Sequence, residues 1–202
     1  MPITAYVDGL CEPVNPRGVA CYGYAIYRDG VKLAEGCGVI DHPSPSNNVA
    51  EYTACIKALE KLVELGLNCE EVVVRSDSQL LINQLNGFYS VRAERVIPLY
   101  ERAAELAEKF RRIRFEWVPR EENAEADGLS RKAYSEHVSK NLDAFVEKYR
   151  PYLATEKQKA LLNRLKIPYP AWISKREASA LISERLDRDR GGGGHVESSA
   201  QN

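Results

Sequence analysis

Strand-like and helix-like segments follow one another along the first 134 residues in an order that few folds can accommodate. Alternating apolar residues predict a first strand that ends at or near Asp8, and two strand-like runs flank Asp29-Gly30, a dipeptide that favours a tight hairpin. A helix is then predicted over residues 48–65, a strand over 72–75, helices over 79–85 and 94–110, a strand over 113–118 and a last helix over 124–134. This order predicts an α/β domain with a mixed sheet and helices on its faces.

The stretch VVVRSDSQLL places Asp77 at the point where a buried strand passes into a helix. Asp and Ser are favoured N-caps, so Asp77 taken alone is most simply a capping residue. Three other carboxylates occupy similar places: Asp8 at a strand end, Glu51 in the first turns of a helix, and Asp127 one turn into the last helix. If the strands that end in Asp8 and Asp77 are parallel neighbours, these acids emerge at the same edge of the sheet.

Four carboxylates gathered in one place cannot all stay ionised without cations, because like charges at close range repel strongly. Oxygen ligands with no Cys or His among them suit Mg²⁺ or Mn²⁺. Two such ions, about 3.5–4 Å apart, form the clamp used for in-line phosphoryl displacement. The alternative is that these acids are solvated, since 29 of the 202 residues are Asp or Glu and their spacing leaves convergence open.

Four sequence blocks carry a family resemblance. They are YVDG with Asp8, NNVAEYTACIKALE with Glu51, VVVRSDSQLLINQLNG with Asp77, and WVPREENAEADGLSRKA with Asp127. In order and in context they resemble the blocks of type 1 ribonuclease H. The resemblance implies a ribonuclease H-like mixed five-stranded sheet with helices on both faces, and hydrolysis of the RNA strand of RNA/DNA hybrids that leaves 5′-phosphate and 3′-hydroxyl ends. It also implies that the four acids bind two Mg²⁺ or Mn²⁺ ions per site.

The same blocks predict contacts with the substrate. Asn15, Asn48 and Gln79 match family positions that touch the minor groove of the hybrid, where 2′-hydroxyls are displayed. Capping explains Asn48 equally well, and Asn15 is also a turn residue before a proline. Asn123 matches a position that supports the last acidic block and is grouped here with the substrate contacts, although it also suits a helix cap.

Two departures from the family pattern concern the substrate. Well-studied bacterial members carry a histidine in the loop before the last acid, whereas here Arg120 stands near that place, as in archaeal-type members. We expect Arg120 to hold the scissile or departing phosphate; a solvated loop charge is the alternative. Those bacterial members also insert a basic helix after the second helix to grip the DNA strand. That insertion is missing here, so Tyr89 and Arg92 are the predicted phosphate or sugar contacts in its place.

The pattern changes to helix only after the first domain. We predict a ribonuclease H domain at 1–135, a helical linker at 136–153, a small basic all-α module at 154–190 and a disordered glycine-rich tail at 191–202. Residues 1–135 hold 16 Lys and Arg against 20 Asp and Glu, whereas residues 136–190 hold 12 against 8. The basic appendage therefore suits either nucleic-acid binding or a protein-binding or stabilising role.

Other sequence features narrow the class of protein. No apolar run approaches the length of a membrane span and no leader is evident, so we expect a cytoplasmic protein without a membrane partner. The five cysteines are scattered, which favours reduced thiols over zinc or disulfides. Transposases and junction resolvases are also built on clustered acids, but their acidic sets lack the DSQ and NAEAD pairings found here. A metal-dependent phosphatase or nucleotidyl enzyme is disfavoured because the chain has no phosphate-cradling glycine loop, and the presence of all four acids argues against a non-catalytic hybrid-binding protein. Double-stranded RNA stays open as a second substrate.

Overall fold

The computed structural model describes residues 2–191, with side chains described through residue 188. The chain divides into two compact units, residues 1–140 and residues 141 onward. The predicted disordered tail falls almost wholly on residues 192–202, outside the described residues. Among the described helices, none combines the length and the apolar character that a bilayer crossing requires.

The first unit is built on a five-stranded mixed sheet. Its strands are β1 (Ile3–Glu12), β2 (Val19–Arg28), β3 (Val31–Val39), β4 (Glu71–Ser76) and β5 (Arg112–Trp117). They lie in the order β3-β2-β1-β4-β5, with β1 antiparallel to β2 and parallel to β4. The two parallel pairings, β1 with β4 and β4 with β5, confirm the mixed sheet and bring the carboxyl ends of β1 and β4 to one edge.

Helices cover both faces of this sheet. They are α1 (Asn47–Glu64), α2 (Gln79–Leu85), α3 (Ile97–Ala107) and α4 (Ala124–Lys140). Alternate β1 side chains such as Ile3 and Val7 join the core on the α1 face, whereas Asp8 points to the opposite face, where it meets α4. The main core is formed by buried apolar side chains of β1, β2, β4, α1 and α3.

The predicted hairpin is present between β2 and β3. Asp29 and Gly30 both have left-handed backbone angles, with φ of 51° and 79°. Two successive positive φ values are characteristic of the two-residue turn whose twist matches that of the strands.

Three predicted boundaries are wrong. β1 continues past Asp8 because its antiparallel pairing with β2 extends to Glu12, although its parallel pairing with β4 ends at Tyr6. The helix predicted from residue 94 begins at Ile97. The last helix runs beyond Tyr134 to Lys140 because Val138, one turn later, is also buried.

The second unit is helical, as predicted. It contains α5 (Leu142–Tyr149), α6 (Glu156–Arg164) and α7 (Lys175–Gly191). Its small core consists of buried Ala154, Leu162, Ile173 and Ala178. A capping box opens α6, since the Thr155 hydroxyl accepts from the Gln158 N–H and the Gln158 side chain accepts from the Thr155 N–H.

Candidate active site

Asp8 is the most buried of the four predicted acids. Its side chain is 6% exposed, and Oδ2 accepts a hydrogen bond of 2.5 Å from the hydroxyl of Ser130 on α4. Burial raises the pKa of Asp8 to about 6; the charges of Asp127 and Asp77 add to the rise, while Ser130 and Arg120 oppose it. A buried carboxylate that costs free energy to ionise is a group that a cation would stabilise.

Glu51 projects from the second turn of α1 toward the same edge. Burial, followed by the charges of Asp8 and Asp77, raises its pKa well above the usual value, although hydrogen bonds from Gly9 and Ser76 lower it in part. The residue as a whole is half-buried, but its Oε2 atom is fully buried and has no hydrogen-bond partner among the described residues. Buried carboxylate oxygens normally have a partner, so this atom is available to a ligand.

Asp77 directly follows β4, and it is not the helix cap. Ser78 caps α2 instead, because its hydroxyl accepts from the N–H of Leu81 at 3.3 Å. The Asp77 side chain accepts a 2.7 Å hydrogen bond from Nδ2 of Asn123. The capping explanation for Asp77 is therefore wrong, and its carboxylate faces the other acids.

Asp127 lies in the first turn of α4 and is held by two arginines. Arg120 Nη2 lies 2.5 Å from Oδ1, and Arg131 Nε lies 2.8 Å from Oδ2. Arg120 is thus an ion-pair partner of a predicted site residue and not an isolated loop charge. Its side chain is 61% exposed, which leaves it accessible to a substrate phosphate.

The charges of the four acids act on one another, but the acids are not arranged as a preformed cation site. The charges of Asp77 and Asp127 act on Asp8, and those of Asp8 and Asp77 act on Glu51. Even so, within the part of the chain whose side chains are described, no group of three or more His, Cys, Asp or Glu forms a set that could hold a metal ion. The three aspartates instead contact Ser130, Asn123 and the two arginines.

Two of the predicted substrate contacts lie beside each other at the start of α1. The side-chain oxygen of Asn15 accepts a 2.9 Å hydrogen bond from the N–H of Asn47, the residue before Asn48. Ser46 is the cap of α1, accepting from the N–H of Val49, so the capping explanation for Asn48 is wrong. Gln79 is exposed in the first turn of α2, directly after Ser78.

The segment between α2 and α3 carries the other predicted contacts. Residues 86–96 form turns and bends, in agreement with the missing basic helix. Tyr89 is 55% exposed and Arg92 is exposed, as contact with a nucleic-acid backbone requires. The neighbouring Phe88, which we did not predict, is 75% exposed.

The Asn123 side chain is fully buried and therefore not accessible to a substrate. Its Nδ2 donates to the backbone oxygen of Val7 at 3.0 Å as well as to Asp77. Asn123 therefore ties β1 to the acid that follows β4, and its placement among the substrate contacts is corrected to a positioning role.

Sequence reasoning missed the groups that bring the helices close to the acids. A Cβ on Gly9 would lie 2.2 Å from the backbone nitrogen of Glu51, and one on Gly23 would lie 2.4 Å from the backbone oxygen of Ala126. Both glycines therefore allow a helix that carries a site acid to rest directly on the sheet. Ser130 lies three residues after Asp127, a spacing that places the two side chains on neighbouring positions of one helix face. Of these three groups, Ser130 is therefore the one that the sequence pattern could have indicated.

Comparison with known proteins places this architecture in a family. The sequence profile described as reverse transcriptase-like matches residues 15–133. The crystal structure of ribonuclease H1 from Halobacterium salinarum is 34% identical, with a TM-score of 0.62, over 67% of this chain and 99% of that one. The chain belongs to the ribonuclease H family. The matched residues 15–133 lie within the first unit.

Two further relatives extend the comparison. LC11 ribonuclease H1, solved in complex with an RNA/DNA hybrid, is 34% identical with a TM-score of 0.62, over 67% of this chain and 99% of that chain. A bifunctional protein of Mycobacterium tuberculosis is 40% identical over 121 residues, which are 59% of this chain and 32% of that protein. The chain thus spans about a third of the length of the first curated relatives it matches.

Proposed function

We propose that this protein is an endoribonuclease that hydrolyses the RNA strand of RNA/DNA hybrids. The observation that carries the proposal is Glu51, whose buried Oε2 has no described partner and whose charge is coupled to those of Asp8 and Asp77. Membership of the ribonuclease H family and the hybrid bound to LC11 ribonuclease H1 support the choice of substrate.

The acids fit divalent cations by their donor chemistry. All four supply carboxylate oxygens, the ligands that Mg²⁺ and Mn²⁺ prefer, and Glu51 offers an oxygen with no described partner. We assign Asp8, Glu51, Asp77 and Asp127 as the residues that hold two such ions. When bound, these ions would supply an activated water and stabilise the charge on the leaving oxygen. Asp127 is already paired with Arg120 and Arg131, so an ion bound there would share its carboxylate with these cations or take the place of one of them.

The reaction is a displacement at phosphorus. A water molecule loses a proton to solvent as its oxygen forms a bond to the scissile phosphorus, and the bond to the 3′ oxygen breaks. The 3′ oxygen takes up a proton from solvent, which leaves a 5′-phosphate and a 3′-hydroxyl. Arg120, whose guanidinium is exposed beside Asp127, would contact the scissile or departing phosphate. Ser130 and Asn123 hold Asp8 and Asp77 in place through their hydrogen bonds.

Recognition of the RNA strand depends on polar side chains next to the acids. We propose that Asn15, Asn48 and Gln79 hydrogen-bond 2′-hydroxyls in the minor groove, since Asn15 lies against the start of α1 and Gln79 is exposed at the start of α2. Tyr89 and Arg92, exposed between α2 and α3, would contact the sugar and phosphates of the DNA strand.

A comparison of labelled duplexes tests the proposal. RNA/DNA, RNA/RNA and DNA/DNA duplexes of one sequence are incubated with Mg²⁺, with Mn²⁺ and with EDTA. We expect internal cleavage of the RNA strand of the hybrid with either metal, none in EDTA, and near-complete loss of cleavage in Asp77→Asn. Cleavage of the DNA duplex, cleavage in EDTA, or full activity of Asp77→Asn would contradict the proposal; cleavage of RNA/RNA would add a second substrate.

A further inference from the structure

The second unit carries an excess of positive charge, part of which is already paired. Residues 141–188 contain ten Lys and Arg against six Asp and Glu. Lys159 Nζ lies 3.0 Å from Glu156, and Arg188 Nη2 lies 2.5 Å from Glu184. Lys175 donates to the backbone oxygen of Pro151 at 2.6 Å. These three cations have partners within the unit, so they are less available than unpaired cations to bind an external anion.

Other cations on α6 and directly after it are exposed and, among the described residues, unpaired. Within the described residues, Lys157, Arg164 and Lys166 form no ion pair, and all three are exposed. Lys157 and Arg164 are seven residues apart, which places them on the same face of α6, about 10 Å apart along its axis. Lys166 follows two residues after Arg164. Lys159, which is paired, lies about half a turn away from Lys157 on α6.

The start of α7 adjoins the start of this face. Gln158 Nε2 donates to the backbone oxygen of Lys175 and to the hydroxyl of Ser179, both at 3.0 Å. This contact brings the first turns of α6 and α7 together and adds Arg176 to the same region. Arg176 is exposed and, among the described residues, also forms no ion pair.

We propose that Lys157, Arg164, Lys166 and Arg176, the α6 surface, bind the phosphates of a nucleic-acid duplex. Phosphates of one duplex strand rise about 3.4 Å per nucleotide along the duplex axis, so the distance from Lys157 to Arg164 corresponds to about three nucleotide steps along that axis. Residues 1–140 carry 17 Lys and Arg against 21 Asp and Glu and supply no net attraction to a polyanion. A basic surface on the same chain would raise the local concentration of substrate near the catalytic unit.

This inference rests on the proposed function only for the choice of an RNA/DNA hybrid as one of the duplexes. The test is equilibrium binding of the full chain, in EDTA so that no cleavage occurs, to a short fluorescent hybrid and to a DNA duplex of the same sequence. The double variant K157Q/R164Q removes two unpaired cations. The matched control K159Q/R188Q changes the net charge equally but removes two cations that are already paired.

We expect K157Q/R164Q to bind both duplexes at least tenfold more weakly at about 0.1 M salt. Its plot of log affinity against log salt, measured from about 50 to 200 mM, should be less steep by about 1.8, because each lost phosphate contact removes about 0.9. The control should bind like the wild type. Circular dichroism and melting temperature check that both variants fold, which surface substitutions at exposed positions should permit.

Equal binding by the two variants would overturn the proposal and favour a protein-binding or purely structural second unit. Weaker binding by both to the same extent would also overturn it, since net charge and not the α6 surface would then be responsible. Because binding is measured without turnover and on a DNA duplex as well, a failure of the proposed ribonuclease activity would leave this result unaffected, and the two outcomes are distinguishable.

Discussion

Gly23 lies directly opposite Asp8 in the antiparallel pairing of β1 with β2, and α4 rests on it. A Cβ at this position would come within 2.4 Å of the Ala126 oxygen and 2.6 Å of the Ser130 nitrogen. The missing side chain therefore allows the turn of α4 that bears Asp127 and Ser130 to approach Asp8. The geometry of the candidate site depends on this close packing as well as on the acids themselves.

Replacing Gly23 should therefore damage both stability and activity. We expect Gly23→Ala to lower the free energy of unfolding by about 1–3 kcal/mol, the usual cost of overpacking, and to weaken Mg²⁺ binding because α4 must move away from Asp8. Gly128→Ala, within α4, is the control: a Cβ there meets nothing within 4 Å, so this variant should gain about 0.5–1 kcal/mol. Denaturant titration and calorimetric titration with Mg²⁺ measure both, and an unchanged Gly23→Ala would contradict the packing account.

The raised pKa of Asp8 predicts a pH-dependent stability of the metal-free protein. Its pKa is about 6 in the folded state against 3.8 in the unfolded state, so between these values the folded state binds more protons and stability falls as pH rises. Above pH 6 the ionised Asp8 lowers the free energy of unfolding by a constant amount of about 3 kcal/mol, relative to its value below pH 3.8.

Asp8→Asn removes the cost of ionising this buried carboxyl group. In EDTA we expect the variant to melt at a higher temperature than the wild type at pH 7, with the difference shrinking toward pH 4. Adding Mg²⁺ should stabilise the wild type more than the variant, because a ligand that binds the folded state raises its stability. A variant that is less stable than the wild type at pH 7 in EDTA would contradict the cost assigned to the buried charge.

Ser130 is predicted to position Asp8. Its hydroxyl has one proton and two acceptors in reach, Asp8 Oδ2 at 2.5 Å and the Asp127 backbone oxygen at 3.0 Å. Ser130→Ala should raise the pKa of Asp8 further, because the hydrogen bond lowers it, and should weaken Mg²⁺ binding by about tenfold, the equivalent of about 1.4 kcal/mol. Ser139→Ala is the control in the same helix, since that hydroxyl donates only to the backbone oxygen of Ser135. Equal Mg²⁺ affinity in the two variants would argue against the role.

Asn123 is predicted to hold β1 and Asp77 together. Asn123→Ala leaves the buried Val7 oxygen without this donor, and we expect a loss of about 1–3 kcal/mol; the half-buried Asp77 carboxylate, which water can reach, should add less. Asn86→Ala, which removes one hydrogen bond from an exposed side chain to the Phe115 oxygen, should cost much less. The measurement is chemical denaturation in EDTA, and similar losses in the two variants would show that Asn123 is an ordinary polar residue.

Local pattern was sufficient for most elements of the first unit. The alternation of apolar residues, the Asp29-Gly30 turn and the helical stripes depend on neighbours along the chain, and the predicted sheet and hairpin are present. Caps were less predictable, because Ser46 and Ser78 compete with adjacent Asn and Asp residues of similar capping ability. The resemblance to ribonuclease H selected Asp8, Glu51, Asp77 and Asp127 from 29 acidic residues, which spacing alone did not do.

The sequence by itself thus determined which segments are strands and helices and, through the family resemblance, which four acids are the candidate metal ligands. Only the tertiary structure decided what those acids contact: Ser130 lies 122 residues from Asp8, and Asn123 lies 46 residues from Asp77. The reason is physical. Secondary structure follows from hydrogen bonds and apolar periodicity within a few residues, whereas a carboxylate's partners and pKa depend on whichever side chains and backbone the fold packs against it.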